Sequence, residues 1–169
     1  KIFPKNSRDI LIKLLSELGV KVLITGSNNL IDSEIKLNLP TFPNIVDFIG
    51  ETSLEDYFAL SSLSEAYIGM DTLNMHIAAS QNKRIFAIFG PTNLSMWSPW
   101  ANELKTGALK NSPSQTYGNI TIFQGALPCV ACGKAGCEDD HGRSECLHII
   151  RPENIFNAVD KWLRYEKIQ

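Results

Sequence analysis

Apolar positions alternate along this chain between helical spacing and continuous short runs. In "SRDILIKLLSEL", residues 7–18, Ile10, Leu11, Leu14, Leu15 and Leu18 fall on one helical stripe, with Asn6 or Ser7 as N-cap and Gly19 just past the end. "VKVLIT", 20–25, then reads as a buried strand closed by the turn "GSNN". A second helix is predicted from about Leu30 to Leu37, before Pro40, and a strand at "NIVDFI", 44–49. "SLEDYFALSSL", 53–63, opens with a Ser-x-x-Asp capping pattern and carries Leu54, Tyr57, Phe58 and Leu60 or Ser61 as its inward stripe. "EAYIGM" supplies the next strand, "NMHIAAS" the next helix and "RIFAIFG", 84–90, the most apolar strand.

Short apolar runs of this kind suit strands covered on both faces, and helices between them make βαβ units with right-handed crossovers. The expected fold is therefore α/β: a Rossmann-like, doubly wound, mostly parallel sheet in one domain spanning residues 1–169. After Phe89 the pattern breaks down. Residues 90–119 read as loop-rich, "ITIF", 120–123, as one last strand, and about 152–165 as a closing helix through Ile155, Phe156, Val159, Trp162 and Leu163. Met70, Met75 and Met96 read as core filling.

Composition narrows the class further. Hydrophobic content of 44%, charged content of 20% and a net charge of −2 give no basic excess for nucleic-acid binding. No apolar run approaches the ~18–20 residues of a membrane span, and "KIFPKNSRDI" lacks the apolar core of a secretory signal. The expectation is a cytoplasmic protein, at most peripheral at the inner face of the inner membrane.

Ligands of open α/β sheets bind at the carboxyl ends of strands, where helix N-termini favour anions. Three turns fit: "TGSNN" at 25–29, "MDTLNMH" at 70–76 and "FGPTNLS" at 89–95. All three are expected on one sheet edge, with Thr72 and Thr92 offering hydroxyls and His76 pointing to the same space. By themselves these residues allow two readings, ligand contact or simple helix capping by Asp71 or Thr72.

All four cysteines, Cys129, Cys132, Cys137 and Cys146, lie in the loop at 125–148 with the spacing C-x2-C-x4-C-x8-C. A Cys-x-x-Cys hook with two more thiolates is a candidate structural zinc site, with His141 and His148 as spare ligands; reduced thiols and disulfides are the alternatives.

"GMDTLNMHIAASQNKRIFAIFGPTNLSMWSPW" resembles the signature of family 9 glycosyltransferases, the ADP-heptose:lipopolysaccharide heptosyltransferases. That signature is an Asp-Ser/Thr-Gly-x-x-His-x-x-Ala block followed by Phe-Gly-Pro-Thr and Trp-Ser-Pro. "KIFP" is similar to the family's Lys-x-Trp-Pro, with Phe3 for tryptophan, and "LPCVACGKAGC…CLHIIRPENIFNAV" to its Cys-rich tail. The resemblance implies the C-terminal, nucleotide-sugar-binding half of a two-domain GT-B enzyme. That enzyme would transfer heptose from ADP-heptose to the lipopolysaccharide inner core, with inversion and without a metal. The acceptor and the carboxylate base would belong to an N-terminal domain absent here, leaving the isolated domain inactive.

The resemblance assigns Lys1 to the donor diphosphate as a leaving-group stabiliser, and Asp71, Thr72, the backbone at Leu73 and His76 to the donor-binding turn. Gly90 and Thr92 would line the neighbouring loop, and Asp32 or Glu34 would hold the ribose. Leu73 stands where the family has glycine, which permits positive φ and close ligand approach, so altered or lost donor binding is one expectation. A non-catalytic nucleotide-binding or cysteine-stapled assembly module is accordingly the alternative function.

Overall fold

The structure, a computed structural model, describes residues 2–134, 136–139 and 143–167. The chain divides into two compact units, Lys1–Pro4 with Ser61–Arg151 and Lys5–Leu60 with Pro152–Gln169.

The second of these begins with helix α1, Lys5–Ser16. It starts two or three residues earlier than the Asn6 or Ser7 cap predicts and buries Leu11, Ile12 and Leu15 while Ile10 stays 44% exposed. Strand β1 (Val22–Gly26) pairs in parallel with β2 (Ile45–Ile49), and helix α2 (Leu30–Leu37) connects them. Asn44 Nδ2 donates to the carbonyls of Ser16 and Val20, fixing the start of β2 to the end of α1. The late helix α7, Pro152–Lys161, packs on α1 and buries Ile155 and Val159; a π-helical turn, Trp162–Glu166, follows it.

Helix α3, Leu54–Leu63, opens on the predicted capping box: Ser53 N–H donates to Asp56 Oδ2 at 3.0 Å and Asp56 N–H to Ser53 Oγ at 3.1 Å. Its buried stripe is Tyr57 and Ser61, whereas Leu54 and Phe58 are about half exposed, which corrects the expected face.

The other unit holds a four-stranded sheet. Strands β3 (Ala66–Met70) and β4 (Arg84–Phe89) pair in parallel, joined by helix α4 (Leu73–Ser80), and β4 pairs in parallel with β6 (Ile120–Gln124). The one-turn helix α5 (Leu94–Trp97) and strand β5 (Ser114–Tyr117) come between β4 and β6 in the chain, short elements within the loop-rich stretch. β5 is an antiparallel edge strand whose alternating exposure needs only one apolar side chain, so "SQTY" carries no strand-like run. β6 is thus flanked on both sides, and Ile85, Phe86, Ala87, Phe89, Ile120 and Ile122 are fully buried.

Met75 joins this core as expected, but Met96 is 72% exposed. A single helical turn can bury one side, here Leu94, and leaves Met96 and Trp97 outside. Mostly parallel strands linked by helices bear out the α/β expectation, with the strands hydrogen-bonded as two sheets.

Candidate functional site at the carboxyl ends of two parallel strands

Because β3 and β4 run parallel, with Met70 opposite Ile88, the turns after them share one sheet edge. Asp71 N–H donates to Ile88 O at 3.2 Å, carrying the pairing one residue past β3 and holding Asp71 half-buried. Thr72 then takes the N-cap position of α4 with extended backbone, φ −144° and ψ 173°, yet its hydroxyl makes no capping hydrogen bond. That hydroxyl lies 3.4 Å from the Tyr67 hydroxyl, which itself donates to Met70 O at 2.8 Å. His76, one turn further along α4, is half-buried.

Tyr67 is a residue the sequence reading passed over. Its ring lies across Gly69, where any Cβ would stand 2.6 Å from the phenol oxygen. A tyrosine two residues before a glycine on one strand face was the available signal, since period two places both on the same side. Leu73 is the first residue of α4 and is not among the residues with positive φ, so the backbone here does not call for glycine. Its side chain is 60% exposed beside Thr72.

The turn after β4 is built differently. Asn93 caps α5, accepting from Ser95 N–H at 3.1 Å and Ser95 Oγ at 2.9 Å, while Asn111 Oδ1 accepts from Leu94 N–H. Buried Gln124 donates through Nε2 to the carbonyls of Gly90 and Thr92, and Leu147 fills the space against Gly90. Thr92 is only 7% exposed. Gly90 and Thr92 therefore reach the expected edge but are covered by Gln124 and Leu147. Gln124 was missed because its partners are distant in sequence and nothing local marks an amide at the end of an apolar strand.

In the other unit, the turn after β1 closes on itself. Asp32 Oδ2 accepts from Ser27 N–H and Ser27 Oγ, each at 2.8 Å, and from Asn29 Nδ2 at 3.0 Å, while Asn29 caps α2 through Asp32 N–H. The carboxylate packs against Gly26, whereas Glu34 is exposed further along the helix. Of the two ribose candidates, Asp32 stands at the strand end. Lys36 is also taken: it donates to Glu51 at 2.6 Å and Ile49 O at 2.9 Å, and the bond to Glu51 raises its pKa. Lys1 lies outside the described residues, as does His141.

None of the four cysteines is in a disulfide: Cys129 and Cys132 are exposed, Cys137 half-buried and Cys146 buried. Burial raises the Cys146 thiol, and the nearby Cys137, Cys132 and Cys129 raise it further. Among the described residues, no three His, Cys, Asp or Glu side chains already stand together as a metal site. His148 is exposed.

A parallel α/β unit with a helix N-terminus at the carboxyl ends of adjacent strands has Rossmann-like architecture. The chain belongs to glycosyltransferase family 9 (heptosyltransferase), whose sequence profile matches residues 1–126. Lipopolysaccharide heptosyltransferase 3 of Escherichia coli is 29% identical over 97 residues, 55% of this chain and 28% of that protein. Lipooligosaccharide heptosyltransferase 2 of Campylobacter jejuni is 22% identical over 120 residues, 71% of this chain and 32% of that protein. The fold matches the solved E. coli ADP-heptose lps heptosyltransferase II with a TM-score of 0.66 at 21% identity, over 99% of this chain and 43% of that one. It also matches a family 9 glycosyl transferase from Veillonella parvula with a TM-score of 0.69 at 19% identity, over 96% and 42%. The chain thus spans about a third of the curated relatives' length and somewhat more of the solved ones.

Proposed function

We propose that this chain binds the nucleotide-sugar donor, ADP-heptose or a close relative, as the C-terminal half of a GT-B enzyme. The sugar would pass with inversion, and without a metal, to a lipopolysaccharide inner-core acceptor at the cytoplasmic face of the inner membrane. The acceptor and its base are supplied by the rest of the enzyme, so this chain alone binds donor but does not turn it over. The observation that carries the reading is Thr72, which occupies an N-cap position without spending its hydroxyl on the helix.

The chemistry follows from the leaving group. As the glycosidic bond breaks, negative charge builds on the ADP phosphate. The positive end of α4 and the Thr72 hydroxyl stabilise that charge, and the Lys1 ammonium adds a point charge. His76 and Asp71 hold the turn's shape and its contacts to the donor, while Gly90 and Thr92 brace it.

Calorimetric titration with ADP tests the proposal. Millimolar or tighter binding is expected, weakened about tenfold by Thr72→Ala, the ~1.4 kcal/mol of a hydrogen bond to a charged group. Asp71→Ala is expected to weaken it at least as much. Absence of ADP binding even with the rest of the enzyme present would sink the reading and leave a non-catalytic module.

A further inference from the structure

Residues 127–151 lie beyond the stretch that matches the family profile. Between Leu127 and His148 the described residues include only a 3-10 turn, Cys137–Asp139, and the one-turn helix α6, Glu145–His148. Among the described residues of this segment, those that are buried are Gly136, Ser144, Cys146 and Leu147. A segment with so little apolar burial needs some other tie to hold a fixed course.

Several hydrogen bonds and packing contacts draw the cysteines together. Cys137 Sγ accepts the N–H of Glu145, the residue just before Cys146, at 3.3 Å, and Cys137 N–H donates to Arg143 O at 2.7 Å. Cys137 and Cys146 are therefore held near one another, so this pair is a hook in space although eight residues separate them in sequence. Cys129 and Cys132 are the other pair, only two residues apart in sequence, with Cys129 inside the turn closed by Val130 N–H on Leu127 O and Cys132 just before Gly133. The residue after each hook is anchored on the same short loop. Gly133 N–H donates to Pro91 O at 2.8 Å, and the Leu147 side chain stands against Gly90. Gly125 lies so close to the backbone of Cys146 that a Cβ there would overlap its carbonyl. Two pairs whose following residues are tied to adjacent positions of one loop hold the four cysteines beside the same turn.

We propose that Cys129, Cys132, Cys137 and Cys146 bind one structural Zn²⁺ that staples residues 127–147 onto the Gly90–Thr92 loop. The sulfurs are not yet grouped as a three-ligand site, and the ion completes the arrangement through rotamer changes at the exposed Cys129 and Cys132. Four thiols lose their protons to the solvent and Zn²⁺ takes four sulfurs at about 2.3 Å in a tetrahedron. The Glu145 N–H on Cys137 Sγ offsets part of the net negative charge, the role an outer hydrogen bond plays at a metal ligand. No redox change is involved, and the proposal stands or falls independently of donor binding.

The test is metal and thiol analysis of the full chain purified under reducing conditions with zinc supplied and chelator absent. One zinc per chain is expected, with the four thiols unreactive until a chelator is added. Cys132→Ser, an exposed position whose change leaves the core intact, should weaken zinc in chelator competition by at least about a hundredfold, beyond the 10–100-fold typical of outer-shell partners. Tryptic cleavage after the exposed Lys134 should accelerate when zinc is removed. Four reactive thiols with less than a tenth of an equivalent of zinc would overturn the proposal, as would disulfide-linked pairs in the reduced preparation. Cleavage after Lys134 that ignores chelation would overturn the stapling.

Discussion

The helices α2 and α4 are each eight residues long and each follows a parallel strand, but their first turns are finished differently. At α2 the side chains complete the turn: Asn29 caps the helix and the Asp32 carboxylate collects Ser27 and Asn29. At α4 the N-cap residue Thr72 leaves its hydroxyl out of the helix, directed toward Tyr67. A helix start that its own side chains satisfy is a structural joint. One whose cap hydroxyl stays outside the helix's own bonding can turn that hydroxyl to an anion, the role proposed for Thr72.

The strongest way to break the contrast is to make α4 resemble α2. Thr72→Asp supplies a charged cap, so it should hold or slightly raise stability while placing a carboxylate where the diphosphate would sit. Titration calorimetry should show ADP affinity falling on the order of a hundredfold, about 2.8 kcal/mol, because like charges are brought together. Unchanged affinity would remove this turn from the donor site.

Opening α2 is the reverse experiment. Asp32→Ala takes away the acceptor of three hydrogen bonds and exposes Gly26, so chemical denaturation should register a loss of about 2 kcal/mol. A smaller matched pair follows. Asn29→Ala should cost about 1 kcal/mol as a lost cap, whereas Thr72→Ala should change stability by less than about 0.5 kcal/mol. Equal costs would mean that Thr72 is an ordinary cap.

Much of this could be read from the chain. Helices and parallel strands were legible because "VKVLIT", "EAYIGM" and "RIFAIFG" are continuous apolar runs between helical stripes, and the paired signature blocks placed Asp71, Thr72 and His76 on one turn. What sequence could not show depends on distant partners. The burial of Thr92 comes from Gln124 and the covering of Gly90 from Leu147, contacts that no local pattern encodes. Eight residues separate Cys137 from Cys146 in sequence, and the Glu145 N–H on the Cys137 sulfur draws the pair together. Leu73 teaches the opposite: glycine's freedom of φ is not used here, since the residue is an ordinary first helical position.

The smallest expected effect concerns a third helix start. At α3 the Ser53–Asp56 box is closed by charge: the Ser53 N–H, and then its hydroxyl, hold the Asp56 carboxyl below its usual range. A carboxyl whose folded pKa is lowered contributes stability that is present above its unfolded value, near 3.9, and lost as pH falls through the folded value. Wild-type protein should therefore lose more thermal stability than Asp56→Asn between pH 5 and about pH 3, since the amide cannot titrate. The side chain is fully exposed, so the difference should shrink in high salt. The open start at Thr72 depends on a hydroxyl that does not titrate in this range, so Thr72→Ala should track wild type across the same pH interval. If the Thr72 variant instead lost the acid dependence, the two helix starts would be coupled, and treating closed and open turns as separate devices would fail.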